Sequence, residues 1–327
     1  MTPFCFTESR RACLAAIFAL AATSPALAWS DKPVKLLVPA PAGGTMDVVA
    51  RVIADQLSTD LGQPVVVDNK PGAGGAIAVQ ALRAAPPNGQ TLMVTASNVL
   101  TEIPHVMKTG FDPLKDIKPV GVIARSTMVL IGAPDVPARD VKGLIRYLKA
   151  QPGQHSFASY SAGTASHYAG VIFNRKAGLD LQHVPFAGSP PALTQVMAGR
   201  IPIMFDGMAT ARPMISGDKV RAFGVASPAR SPQLPNVPTL AEQGLPELNF
   251  SNWIGVVAGG NMAPELVEKI HTAVARAAAA SRVKARLQAA GFDAIDDLTP
   301  SQLAQSMRAE FQRNADIVQA FEIKLNP

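Results

Sequence analysis

The chain has 327 residues, 48% of them apolar and 17% charged, with a net charge of +6. That composition excludes a disordered or fibrous chain and suits a well-buried α/β protein with room for two ordinary domains. The surplus positive charge is scattered. Its one cluster, Arg282, Lys284 and Arg286, has neither interleaved aromatics nor a groove-reading motif, so no nucleic-acid partner is expected.

In chain order, residues 1–28 read as an export signal. Arg10 and Arg11 precede the apolar run Ala12–Ala22, which is too short for a stable membrane anchor, and Ala26-Leu27-Ala28 offers a small-x-small cleavage site. Cleavage after Ala28 would deliver a periplasmic chain starting at Trp29. Ser9-Arg10-Arg11 leaves twin-arginine export open beside the general route, although Cys13 and Ala15 fit that motif poorly. Both cysteines, Cys5 and Cys13, lie in this segment, so the mature chain has no thiol for a disulfide, a metal site or a nucleophile.

Strand and helix patterns then alternate. The runs Val34–Val38, Val65–Asn69 and Leu92–Ala96 read as short strands. Between them Val49, Val52, Ile53 and Leu57 recur at helical spacing up to Gly62, and Gly74–Ala84 reads as a second helix. Further strands are expected at Val129–Ile131, Ser156–Ser159, His183–Phe186, Ile201–Phe205, Val220–Ala226 and Asn252–Ala258, with helices at Val141–Ala150, Ser166–Lys176 and Pro190–Ala198. Two long helices close the chain, Pro264–Ala289 and Pro300–Phe321, the second opened by the capping box Thr299-Pro300-Ser301-Gln302. The alternation implies parallel strands with crossover helices. It divides into residues 29–128 plus 256–327 as one lobe and 129–255 as the other. The strands crossing near Met128–Ile131 and Trp253–Val256 would form the hinge.

Two loops carry the candidate chemistry. Pro41-Ala42-Gly43-Gly44-Thr45-Met46-Asp47 and Ser159-Tyr160-Ser161-Ala162-Gly163-Thr164-Ala165-Ser166-His167 each lead from a strand into a helix start. The first N–H groups of a helix lack intrahelical partners and lie at the positive end of its dipole, so each loop can cradle a carboxylate without a basic side chain. One such loop per lobe suggests a shared cleft for a small organic anion.

Catalytic constellations are weaker. Ser161 lies in a strand–turn–helix followed in sequence by Asp206 and His271, the order of an α/β hydrolase, but the first glycine of G-x-S-x-G is absent and His271 falls within an Ala-rich helix. The histidines show no metal spacing, and His167 is expected to pack or cap. Pro71-Gly72-Ala73-Gly74-Gly75 lacks the P-loop ending and reads as a turn feeding a helix. Neither a metal, a cofactor nor an enzymatic reaction is expected.

The blocks VPAPAGGTMDVVAR (38–51), LGQPVVVDNKPGAGG (61–75), FDPLKDIKPV (111–120), FASYSAGTASHYAG (157–170), VPFAGSPPALTQVMAGRIPIMFD (184–206), SPARSPQLPNVPTLAEQGLP (227–246) and NWIGVVA (252–258) resemble the Bug family. Its members are extracytoplasmic substrate-binding proteins of tripartite tricarboxylate transporters. The resemblance implies a two-lobed type II periplasmic-binding-protein fold. It also implies a carboxylate or amino acid as ligand and the membrane components of a transporter as partner; a monomer is expected, and a membrane sensor is the alternative partner.

Carried over by position, the first-lobe contacts fall on Ala42, Gly43, Gly44, Thr45 and Asp47, with Thr95, Ser97 and Asn98 beside them. The second lobe offers Ser159, Gly163, Thr164, Ala165 and Ser166, with Phe186, Gly188 and Asp206 completing the wall. For Asp47 the alternative is capping its own helix, and for Asp206 satisfaction by nearby amides. The chain departs from the family pattern at Ala40, in place of an aromatic, and at Met46, in place of a small or hydroxyl residue. It also departs at Tyr160-Ser161, in place of Ala-Gly, at Ala187, in place of Lys, and over residues 98–107.

Overall fold

A computed structural model describes residues 29–227, 229–293 and 298–323; the expected signal and its cleavage after Ala28 lie outside the described residues. The first strand–helix alternation builds β1 (Val34–Val38), α1 (Thr45–Leu61), β2 (Val65–Asn69), α2 (Ala76–Ala84) and β3 (Thr91–Ala96). β1 lies between β2 and β3 and is parallel to both, as crossover helices require. Successive strand residues face opposite sides. Leu36 and Val94 therefore pack with Val49, Ile53 and Leu57 of α1 on one face. Leu37 and Met93 pack with Val79 and Leu82 of α2 on the other.

Two short helices that the sequence pattern does not announce follow, α3 (Ser97–Thr101) and α4 (Pro113–Asp116), and lead into β4 (Ile117–Gly132). This 16-residue strand is the spine of the molecule. From Ile117 to Thr127 it pairs antiparallel with β9 (Ser251–Gly259) in the first lobe. From Met128 to Gly132 it runs in the second lobe between β7 (Ile203–Gly207) and β8 (Arg221–Ala226). Only its apolar end was legible as a strand. Lys118, Pro119, Gly121 and Arg125 interrupt the earlier part, where register shifts after Pro119 and Val122 accommodate the irregularity.

The second lobe adds α5 (Val141–Lys149), β5 (Ser156–Ser159), α6 (Ala165–Lys176), β6 (Gln182–Pro185), α7 (Ser189–Met197) and α8 (Met208–Ser216) around one core that includes Phe157, Phe173 and Phe205. α8 carries an internal Pro213, which hides it from periodicity. The strand order is β2-β1-β3-β9-β4-β7-β5-β6, with β8 also on β4. The chain returns to the first lobe at Phe250, whose N–H still bonds Ala226. This return is earlier than the expected Trp253–Val256, because β9 pairs within the first sheet from Ser251 onward.

The closing helices are α9 (Pro264–Ala279), α10 (Ser281–Ala289) and α11 (Pro300–Ala320). The single helix expected over 264–289 breaks at Ala280, which is extended (φ −60°, ψ 131°) and sets Val283 and Leu287 against the α1 side of the core. α11 does not end on the first lobe. Leu303 and Met307 pack there, but Ile317, Phe321 and the following Ile323 pack on the second lobe's core, and Arg175 pairs with Glu322 at 3.1 Å. The C-terminal helix is thus a clasp across both lobes.

Candidate ligand-binding site

Between the lobes lies a cavity of about 360 Å³, within the size range of small-molecule sites. The β1–α1 turn forms its floor through Gly44, Thr45 and Met46, joined by Asn98 and Val99 of α3 and by Ile103 and Met107. The second lobe contributes Tyr160 to Ala162, Thr164 and the β6–α7 turn from Pro185 to Ser189. Ser126, Met128, Asn252 and Ile254 reach it from the two crossing strands.

The start of α1 is open. Gly44 is its N-cap with no side-chain hydrogen bond, and the N–H groups of Thr45 and Met46 have no acceptor among the described residues. Asn98 is 2% exposed, yet its Oδ1 has no hydrogen-bond partner among the described residues. A buried, unpaired amide oxygen is costly, on the order of 1–3 kcal/mol.

The start of α6, also without a side-chain cap, is set back from the cavity, and only its N-cap Thr164 reaches the wall. The Ala165 N–H is directed at the buried carboxyl of Glu102, whose Oε2 has no hydrogen-bond partner among the described residues. The Gly163 N–H donates to His167 Nδ1 at 3.1 Å, and the Ser166 N–H lies beside the Tyr160 hydroxyl. The hydroxyls are committed as well. Ser166 Oγ donates to the Phe205 carbonyl, Thr164 Oγ1 to Ser161, and Ser159 Oγ to Ser161 while pairing with His183 Nε2 at 2.7 Å. Glu102 was missed in the sequence. Its signal was a lone acid in an apolar stretch, and what it reaches lies 63 residues further on.

Of the sequence-predicted residues, Gly44, Thr45, Asn98, Thr164, Phe186 and Gly188 line the cavity. Ala42 and Gly43 sit on the exposed tip of their turn. Asp47 faces its own loop and accepts from Gly43 N, Arg51 Nε and Asn69 Nδ2, each at 2.9 Å. Burial pushes its pKa up, but these bonds outweigh burial and hold it below the ordinary value. Thr95 and Ser97 are buried behind the wall, where Thr95 donates to Ala96 and Ser97 to Asn252. Ser159, Gly163, Ala165 and Ser166 are off the cavity for the reasons above. Asp206 is fully buried behind Ser189, accepting from Ser189 at 2.5 Å and Thr210 at 2.7 Å. Burial raises its pKa to about 6 despite those bonds.

The departures Ala40, Met46, Tyr160 and Ala187 all face the cavity. So does Pro71–Gly75, which feeds its helix as expected but is also part of the wall. No hydrolase triad forms: Ser161 Oγ donates to the Ala162 carbonyl, while His271 Nδ1 is bonded to Val120 in the first lobe.

The lobes meet closely at two glycines. A Cβ on Gly163 (φ 74°) would lie 2.7 Å from Val106 Cγ2, and one on Gly188 (φ 119°) would lie 2.5 Å from Pro41 Cγ. Both positions need glycine for backbone angle and for contact with the opposite lobe.

The family model for the tripartite tricarboxylate transporter family receptor matches residues 49–323. BugT of Bordetella pertussis is 31% identical over 311 residues, 94% of this chain and 94% of BugT. An R. palustris structure with adipate is similar at 28% identity and a TM-score of 0.86, over 90% of this chain and 99% of that one. MatC from Rhodopseudomonas palustris with bound malate gives 31% identity and a TM-score of 0.81, over 88% of this chain and 99% of MatC. No described helix is long and apolar enough to cross a membrane. The chain belongs to the Bug, or tripartite tricarboxylate transporter receptor, family of solute-binding proteins, which bind their ligands rather than transform them.

Proposed function

We propose that this protein captures a small organic carboxylate between its lobes in the periplasm and hands it to the membrane components of a tripartite transporter. The observation that carries the reading is the uncapped start of α1, whose Gly44, Thr45 and Met46 line the interlobe cavity together with Asn98. Gly44, Thr45, Asn98, Thr164, Phe186 and Gly188 form the ligand-facing set. The adipate and malate held by the two similar structures support the ligand class.

Magnitudes limit what the amides can do. Each charge-assisted hydrogen bond contributes about 1.5–3 kcal/mol and the helix dipole at most about 2 kcal/mol. Micromolar affinity needs about 8 kcal/mol, so apolar contact and exclusion of water by lobe closure must contribute substantially. The lobes would rock about β4 and β9, restrained by the α11 clasp.

Thermal unfolding with a panel of C4 to C8 mono- and dicarboxylates tests the reading. A ligand at about 100 times its Kd adds about 2.7 kcal/mol of stability. A raised Tm with at least one carboxylate is expected; no shift with any of them, in protein freed of carried-over ligand by refolding, would sink the proposal.

A further inference from the structure

We infer that the cleft holds a second polar subsite at the hinge, made by the hydroxyls of Thr45 and Ser126 and the side-chain amide of Asn252, and that it selects a carboxylate bearing a hydroxyl on the neighbouring carbon. The inference rests on the proposed capture of a carboxylate at the start of α1 and specifies which carboxylate.

Ser126 of β4 and Asn252 of β9 are directly opposed in the antiparallel register, so their side chains stand side by side on one face of the sheet. They are only 6% and 8% exposed, yet both line the cavity. Asn252 Oδ1 lies 3.5 Å from the Ser97 hydroxyl, whereas its Nδ2 has no hydrogen-bond partner among the described residues. The hydroxyls of Ser126 and Thr45 have none among them either. Buried polar groups cost free energy unless something completes their hydrogen bonds. All three residues border the cavity, where a ligand atom can do so.

Gly207 closes the subsite from the second lobe, at the end of β7 and opposite Met128 of β4. A Cβ on it would lie 3.1 Å from Thr45 Oγ1 and 3.3 Å from Ser126 Oγ. The two hydroxyls therefore border one small space over the glycine, close enough together for a single ligand oxygen to meet both. The backbone of Gly207 is extended (φ −68°, ψ 141°), a conformation open to any residue, so it is the missing side chain that keeps this space free.

Thr45 links the subsite to the ligand's carboxylate. Its N–H is one of the open donors at the start of α1, and its hydroxyl borders the space over Gly207. Within one residue these two groups are held close together. Only ligand oxygens equally close can meet both, which a carboxylate oxygen and a hydroxyl on the next carbon satisfy. Serine and threonine hydroxyls donate and accept, and the asparagine NH₂ donates, so a neutral hydroxyl can both give and receive hydrogen bonds here. The rest of the ligand meets the apolar wall of Val99, Ile103, Met107 and Phe186.

Hexanoate and succinate, each compared with the two enantiomers of its 2-hydroxy derivative, test the inference, because parent and derivative differ in the hydroxyl alone. In calorimetric titration of wild type, one enantiomer of at least one derivative should have a Kd at least about tenfold below that of its parent. Ser126→Ala should cut that preference to about threefold or less. Gly207→Ala, which puts a methyl into the space without backbone strain, should remove it. Wild type that binds every derivative no tighter than its parent, or binds none of these compounds, overturns the inference. Carboxylate capture still stands if another carboxylate of a wider panel raises Tm, and falls with the inference if none does. A wild-type preference that survives in both folded variants overturns the assignment of the hydroxyl to the hinge. The wild-type comparison is read even if a variant fails to fold.

Discussion

The buried carboxyl of Glu102, carried by the first lobe, lies against the backbone N–H of Ala165 at the start of α6 in the second. The same residue's carbonyl accepts from the Tyr168 hydroxyl at 2.8 Å. Glu102 is therefore an interlobe tie through its carbonyl.

Burial pushes the Glu102 carboxyl well above its ordinary value of 4.5, and the nearby Glu310 pushes it further, against the pull of Arg313 and the Ala165 N–H. A carboxyl whose folded pKa is raised binds its proton more tightly in the folded protein, so its contribution to stability falls as pH rises from 4.5 toward the folded value. Glu102→Gln keeps an acceptor for Ala165 without the charge. It should raise Tm by roughly 2 °C or more at pH 8 and by less at pH 5. Scanning calorimetry across that range checks this; a variant less stable than wild type at pH 8 would contradict it.

Beneath the same loop, His167 and His183 stack with centroids 3.9 Å apart, and His183 stacks on Phe157 at 5.0 Å. Burial lowers the pKa of His167 to about 4; burial and then the neighbouring His167 lower that of His183 to about 3. Depressed histidines stabilise the fold fully above their unfolded pKa of about 6.5 and lose that contribution as pH falls toward the folded values. The loss for His167 is on the order of 3 kcal/mol. Tm should fall between pH 6.5 and 4, and His183→Phe, which keeps the stack but removes one titrating ring, should flatten the fall. An equal slope in the variant would contradict this.

Gly188→Ala places a methyl 2.5 Å from Pro41 Cγ across the cleft, at a backbone angle (φ 119°) that other residues rarely adopt. The strain is on the order of 1–3 kcal/mol and is felt in the closed state. Ligand affinity should fall by about tenfold, and small-angle scattering should show a larger radius of gyration with ligand present than wild type gives. Wild-type affinity would mean that the lobes do not close at this contact.

The fold was legible because its signals are local. The apolar alternation gave β1, β2 and β3, and the capping box is present, with Gln302 N donating to Thr299 Oγ1 at 3.2 Å and Thr299 N to Gln302 Oε1 at 3.0 Å. The break at Ala280 was not legible, because Ala, Ser and Arg all tolerate a helix and packing on α1 decides. The site was legible in part for the same reason. A sequence shows where helices start, at Thr45 and at Ala165, but not which of those starts the protein fills itself. Glu102 comes to lie against one of them from the opposite lobe, and that approach leaves no local pattern.

Titration of a bound carboxylate against Thr45→Pro tests the central claim most directly. Proline at the first helical position deletes one of the open N–H groups and suits the helix, because Gly44 before it already has φ −75° and ψ 164°. Thr45→Ala controls for the lost hydroxyl. With the best-binding carboxylate of the panel, Thr45→Pro should keep its ligand-free Tm yet bind at least about tenfold more weakly than Thr45→Ala. Equal affinities in the two folded variants would mean that the start of α1 does not hold the ligand.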